Sequence, residues 1–193
     1  MRVLIACEYS GTVRDAFIKQ GHYAMSCDLL PTDAPGPHHQ GDVFDVIDDD
    51  WDLMIAHPPC TYLSVSGMHW TTRGLRDPQL TEDALTFVRG LMNAPIEKIA
   101  IENPISVISS RIRKPDQIIQ PWWFGDDASK KTCLWLKNLP KLTPTKMLAG
   151  DEKTRRANQT STGQNKLAPS KDRWKIRSKT YQGIAEAMSQ QWA

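Results

Sequence analysis

Leu53-Met54-Ile55-Ala56-His57-Pro58-Pro59-Cys60 is the stretch that decides the fold. Four consecutive apolar residues are too few for a helix and read as a short buried strand. The two prolines stop it, because proline has no N–H to give a ladder and fixes its own φ. The chain thus leaves the sheet in a stiff turn, and the Cys60 thiol projects from a rigid loop at a strand end.

The same pattern repeats on either side. Residues 3–6 read as a buried strand, followed by a turn at Ser10-Gly11 and a helix with Val13, Ala16 and Phe17 on one face. Residues 23–27 form a second strand that ends at Asp28, and residues 29–40, rich in Pro, Gly and His, read as a loop. Residues 81–93 predict a helix with Ala84, Leu85, Val88, Leu91 and Met92 toward the core and Thr81 as its cap. Residues 99–101 form a strand ending at Glu102. This alternation predicts an α/β fold, a mostly parallel sheet with helices on both faces. Farther on, residues 133–136 read as a late strand, 139–165 as a polar connection and 181–192 as a terminal helix.

A chain of 193 residues suits one domain, expected here to span residues 1–193. No stretch approaches the roughly 20 apolar residues of a membrane span, and none resembles a signal peptide, so a cytoplasmic protein is expected. Cys7, Cys27, Cys60 and Cys133 have no CxxC spacing, and the five histidines have no ligand spacing, so reduced thiols and no metal are expected. The net charge of +2 hides an asymmetry: residues 137–179 hold twelve Lys/Arg against three Asp/Glu, a net +9, which leaves −7 elsewhere. Such a basic connection suits a polyanion such as nucleic acid or a nucleotide phosphate, or else a solvated loop.

Sheets of this kind bind ligands at the carboxyl ends of their strands, where Cys7-Glu8, Asp28, Cys60 and Glu102 all fall. Ser10 and Gly11 open a helix whose free N–H groups could receive a carboxylate. Neither GxGxxG nor GxxxxGK is present, which disfavours a dinucleotide or P-loop site. Asp28 is placed to accept from ribose hydroxyls or simply to make a turn. Gly41-Asp42-Val43 offers a second acid for an adenine amino group, again with a turn as the plain alternative. Cys60 follows His-Pro-Pro and precedes the polar Thr61, Ser64 and Ser66, a setting unusual for a core cysteine and suited to a nucleophile. Glu102 follows Ile99-Ala100-Ile101, where burial is expected to raise its carboxyl pKa. A proton-sharing glutamate there would hydrogen-bond a ring nitrogen and steady charge pushed into the ring; a structural glutamate is the alternative.

Taken together, these residues resemble the cytosine-5 methyltransferase family, whose members transfer a methyl group from S-adenosylmethionine to cytosine. Residues 4–17, with Gly11 and Arg14-x-Ala16-Phe17, look like the family's opening segment, and residues 52–64 like its nucleophile loop. The spacing from Arg89 to Glu102 is similar to its helix and strand. Gln120-Pro121, Phe124-Gly125 and Lys130-Lys131 resemble its later basic motif, and residues 181–192 its closing helix. The resemblance implies a Rossmann-like S-adenosylmethionine-dependent methyltransferase fold, with Cys60 and Glu102 catalytic. It implies a cofactor site at Cys7, Ser10, Gly11, Asp28, Asp42, Val43 and Pro59, and substrate contacts at Ser64, Asn103, Lys130 and Lys131.

The chain departs from the family in reading Cys7-Glu8-Tyr9-Ser10-Gly11 where Phe-x-Gly-x-Gly is usual, Thr61 where glutamine follows the nucleophile, and Pro104 for valine. Only about forty residues stand where the family carries a target-recognition domain, so residues 137–179 replace it and the chain resembles a minimal, phage-like form acting in bacterial cytoplasm. The expected partner is DNA or a free cytidine nucleotide, with a protein partner or homo-oligomer left open. Two other readings remain: an amino-directed DNA methyltransferase, because His57-Pro58-Pro59 resembles the Asp/Asn-Pro-Pro-aromatic motif, and a non-catalytic nucleic-acid-binding module.

Overall fold

The computed structural model describes residues 1–150 and 169–193, so parts of the 137–179 and 139–165 connections lie outside the described residues. Its centre is β1 (Arg2–Ala6), whose Val3, Leu4, Ile5 and Ala6 are wholly buried. β1 pairs in parallel with β2 (Tyr23–Asp28) on one side and β4 (Leu53–Ala56) on the other. β3 (His38–Gln40) extends the sheet beyond β2, and β5 (Lys98–Pro104) extends it beyond β4, both in parallel. β7 (Thr132–Lys137) then runs antiparallel to β5, and β6 (Gln117–Ile119) antiparallel to β7, giving seven strands in the order β3-β2-β1-β4-β5-β7-β6.

Side chains alternate across the strands, so each strand feeds two cores. Leu4, Ala6, Met54, Ala56, Ile99 and Ile101 pack with Leu85, Val88 and Leu91 of α3 (Gln79–Met92). Val3, Ile5, Leu53, Ile55 and Ala100 pack on the opposite face with α1 (Thr12–Lys19) and a terminal helix, Gln182–Gln191. Each fully buried leucine or valine of α3 stabilises the fold by about 1.5–3 kcal/mol. The mostly parallel sheet covered on both faces agrees with the sequence pattern.

Several elements differ from expectation. The 29–40 stretch is a loop only to residue 37, because His38–Gln40 joins the sheet edge as β3, and His38 Nδ1 lies 2.8 Å from Ser26 Oγ. α3 begins at Gln79, and Thr81 sits buried in its first turn with its hydroxyl donating to the Tyr62 carbonyl at 3.2 Å, so it does not cap the helix. β5 continues past Ile101 to Pro104 because β7 pairs with it as far as Thr132, which puts Glu102 inside the strand rather than at its end. α2 (Val65–Thr72), α4 (Ile108–Arg111), β6 and α5 (Arg173–Ser178) have no counterpart in the sequence reading. The terminal helix Gln182–Gln191 is α6. No helix among the described residues is long and apolar enough to cross a membrane.

Arg14 ties α1 to the loop before β3. Its side chain is fully buried, and Nη2 donates to the Ala34 and Pro35 carbonyls, each at 3.1 Å, while Nη1 reaches Ser26 Oγ at 3.2 Å. Gly11 makes this possible: it holds a left-handed φ of 75°, and a Cβ there would collide with the guanidinium. Arg14→Met leaves two carbonyls of the loop without their charged donor, and is expected to cost roughly 3 kcal/mol or more in urea unfolding. Asp15→Asn, which removes the half-exposed partner of the Arg14–Asp15 pair, is expected to cost under about 1 kcal/mol. Equal losses in the two variants would overturn this account.

Candidate active site

The chain steps from β1 to β2 on one side and later returns to β4 on the other, so a crevice opens at the carboxyl ends of these strands. There lies a cleft of about 1480 Å³. A single small-molecule pocket usually occupies about 300–1,000 Å³, so this cleft has room for two ligands side by side. Cys7, Ser10, Asp28, Pro59, Cys60, Ser64, Glu102, Asn103, Lys130 and Lys131 all line it, whereas Gly11, Asp42 and Val43 do not.

The Cys60 end is built by two neighbouring parallel strands. β4 delivers the Pro-Pro turn, and Asn103 of β5 locks it, donating from Nδ2 to the Pro58 carbonyl at 2.8 Å. The turn then hands Cys60 to the solvent side as the exposed thiol of the four cysteines, the others being buried or half-buried. Desolvation raises the Cys60 thiol pKa, and Glu102 adds to this; Lys130 and Arg177 pull against the shift without cancelling it. The thiolate fraction therefore climbs with pH across the neutral and mildly alkaline range. Alkylation of Cys60 by iodoacetamide is expected to accelerate about tenfold per pH unit below that pKa, with a midpoint above that of an ordinary thiol. A midpoint below the ordinary thiol value would contradict it.

Glu102 departs from expectation. Burial does push its carboxyl pKa upward, but a hydrogen bond from His57 and the charge of Lys130 outweigh burial and hold the carboxyl below its usual range. His57 Nδ1 lies 3.2 Å from Glu102 Oε2, and only 8% and 14% of the two side chains are exposed. An ionised carboxylate only accepts, so His57 Nδ1 carries the hydrogen. His57 Nε2 and Asn103 Oδ1 are buried without a protein partner among the described residues. The pair sits forty-five positions apart in sequence, which is why the composition around Glu102 alone points to the opposite shift.

The other end of the cleft is acidic. Glu8, buried beside the cleft, accepts from the Val13 N–H at 2.7 Å, the Arg14 N–H at 3.3 Å and Ser10 Oγ at 3.0 Å. The α1 N-terminus thus already holds a carboxylate of its own chain, so the expected seat for a ligand carboxylate at Ser10-Gly11 is taken. Cys7 has a left-handed φ of 58°, and burial together with Asp28 drives its thiol pKa far up, so it does not compete with Cys60 for chemistry. Asp28 is half-buried, its pKa raised by burial, and one of its oxygens accepts from the Leu30 N–H at 2.9 Å. Its second oxygen has lone pairs for a hydroxyl-bearing ligand. Asp42 instead caps the 3-10 turn Val43–Asp45, accepting from the Phe44 N–H at 3.0 Å, and Val43 is core.

Sequence reasoning missed Trp70 and Arg76, and reached Trp174 and Arg177 only as part of the basic 137–179 connection. Arg76, Trp70, Trp174 and Arg177 line the cleft. The only signal was two tryptophans and two arginines in segments with no apolar period. Lys130 Nζ donates to the Arg177 carbonyl at 3.2 Å, which couples the start of β7 to α5. Tyr9 is the other anchor: its hydroxyl donates to the Lys175 carbonyl at 2.6 Å. Among the described residues no cluster of His, Cys, Asp or Glu is placed to hold a metal ion.

No family model matches the chain, and no curated protein matches it. Among solved structures, it is similar to the Entamoeba histolytica methyltransferase EhMeth, with a TM-score of 0.52 and 15% identity over 77% of this chain and 57% of that one. It is also similar to a protein encoded within an E. coli prophage and described as a DNA modification methyltransferase, with a TM-score of 0.49 and 13% identity over 83% of this chain and 56% of that one. The chain spans 56–57% of the length of these two structures. At this identity the likeness is one of fold: an α/β, Rossmann-like methyltransferase fold.

Proposed function

We propose that this α/β chain of methyltransferase fold is an S-adenosylmethionine-dependent methyltransferase acting on carbon 5 of cytosine through a covalent Cys60 adduct. The observation that carries the reading is the placement of an exposed thiol and an ionised, buried carboxylate in one cleft large enough for two ligands. S-adenosylmethionine, when bound, supplies an electrophilic methyl group. The residues fit it in part. Asp28 offers a carboxylate oxygen to ribose hydroxyls, while the α1 N-terminus does not receive its carboxylate, because Glu8 is there.

The remaining steps belong to the chain. Cys60 Sγ, as thiolate, bonds carbon 6, and the electron pair of the 5,6 double bond is left on carbon 5 as the attacking centre. Glu102 meets the base ionised and first accepts from its exocyclic amino group. As negative charge builds in the ring, the neighbouring carboxylate becomes more basic, takes a proton from solvent in the open cleft and shares it with ring nitrogen 3, and that proton returns to solvent when the ring charge is lost. His57 keeps the carboxylate in place throughout. Loss of the carbon-5 proton to base then restores the double bond and expels Cys60.

Incubation with radiolabelled S-adenosylmethionine and duplex DNA, single-stranded DNA, RNA or cytidine nucleotides tests the reaction and its substrate together. A stable adduct on a 5-fluorocytosine substrate is expected, because fluorine cannot leave as a proton does. Label transfer with no adduct would favour the amino-directed reaction instead.

A further inference from the structure

We infer that the mouth of the cleft seats an unpaired polynucleotide strand, with Trp70 of α2 and Trp174 of α5 as its stacking faces. The inference rests on the reading that the cleft acts on a pyrimidine, and it names the form in which that pyrimidine arrives. Both indoles line the cleft and are about half exposed, at 51% and 54%. The helices that carry them are lightly packed: neither α2 nor α5 has a fully buried residue, and Trp174 meets its own chain at Tyr9, with ring centres 6.5 Å apart. Val65 and Trp70 of α2 and Trp174 and Ile176 of α5 stay exposed, and an apolar face left uncovered is available to something else. Val65 and Ile105, also exposed, add apolar surface to the same cleft.

Charge selects the occupant. Five Lys/Arg line the cleft against three Asp/Glu; Glu8 is hydrogen-bonded to the α1 N-terminus, and of the cations Lys179 is paired with Asp33 at 2.8 Å. Arg76 donates to the Thr61 carbonyl at 3.0 Å, a neutral partner that leaves its positive charge for a phosphate, while Lys130 donates to the Arg177 carbonyl and shares its charge with Glu102. Aromatic faces interleaved with cations are what a single strand requires, since its bases expose their rings and its phosphates run alongside. A duplex hides those rings in its stack and is read instead by polar side chains entering a groove. Here two indoles stand among the polar and basic side chains of the cleft. α2 and α5 are also only eight and six residues long.

The test is fluorescence anisotropy with a labelled, cytosine-containing dodecamer presented as single-stranded DNA, single-stranded RNA and duplex DNA, with no methyl donor present. The single strands are expected to bind at least tenfold tighter than the duplex and to quench tryptophan fluorescence. Trp70→Ala and Trp174→Ala are each expected to weaken strand binding about 5- to 100-fold, and Trp70→Phe to retain most of it. Affinity is expected to fall with salt at a slope of about −0.7 per phosphate engaged. A preference for ribose or deoxyribose identifies the polymer, and either result supports the inference. Equal or tighter duplex binding, or both alanine variants binding within twofold of the parent protein, would overturn it. Because no methyl donor is present, binding is read apart from chemistry: strand binding here together with no label transfer in the radiolabel assay would refute the carbon-5 reading and leave this one standing.

Discussion

Cys60→Ser is expected to lower kcat by about 10⁴-fold or more while leaving the fold and nucleic-acid binding unchanged. The substitution replaces one atom at an exposed position, so unfolding cannot account for the loss. A serine hydroxyl stays protonated at any working pH, and its oxygen does not add to carbon 6 of a pyrimidine. Without that bond, carbon 5 never gains the electron pair it needs. Single-turnover transfer of radiolabel and trapping on 5-fluorocytosine both measure this, and both signals should vanish together. A variant that still transferred label at more than a tenth of the parent rate would sink the covalent mechanism.

Glu102→Gln is expected to lower kcat by roughly 10²- to 10⁴-fold with substrate affinity changed only a few-fold. The amide keeps the shape and can still hydrogen-bond the base, but it cannot take up a proton as the ring becomes negative. It also loses the ionic half of the contact with His57 at 3.2 Å. Stability needs a parallel check, with the sign known in advance. The folded pKa of Glu102 is depressed, so its contribution to stability is present above the unfolded carboxyl pKa and disappears as pH falls through the folded value. At neutral pH the variant should therefore be less stable than the parent, and in acid the two should converge. Activity within tenfold of the parent would show that proton transfer at Glu102 is not needed.

What the chain revealed before folding depended on burial. β1 and β4 were legible because strands covered on both faces are apolar throughout, as Val3–Ala6 and Leu53–Ala56 are, and β2 and β5 because each keeps a short apolar run, Ala24-Met25 and Ile99-Ala100-Ile101. β3 and β6 escaped because each is three residues at a sheet edge, where His38-His39-Gln40 has no need of apolar character. α2 escaped for the opposite reason: nothing in it is buried, so no period marks it. The candidate site divides the same way. Cys60 and Glu102 stood out through local context, and the shared cleft follows from the parallel pairing of β4 with β5. The direction of the Glu102 shift was unreadable, since desolvation is local but His57 and Lys130 arrive from other strands. The occupied α1 N-terminus was equally hidden, because Glu8 lies three residues ahead of the cap Gly11 and reaches Val13 only through the left-handed turn at that glycine.

β7 runs against the strands beside it, and this has a further consequence. In a parallel strand the segment that follows reaches the reactive rim, whereas in a reversed strand the segment that precedes it does. Lys130 and Lys131 therefore arrive at the rim on the incoming leg of a hairpin-like excursion, with no crossover helix needed to place them. That leg is topologically cheap to lengthen, shorten or recharge, since the hydrogen-bonded ladder downstream keeps its register regardless. Variation in what the protein grips can accumulate there while the strands that position its reactive groups stay fixed.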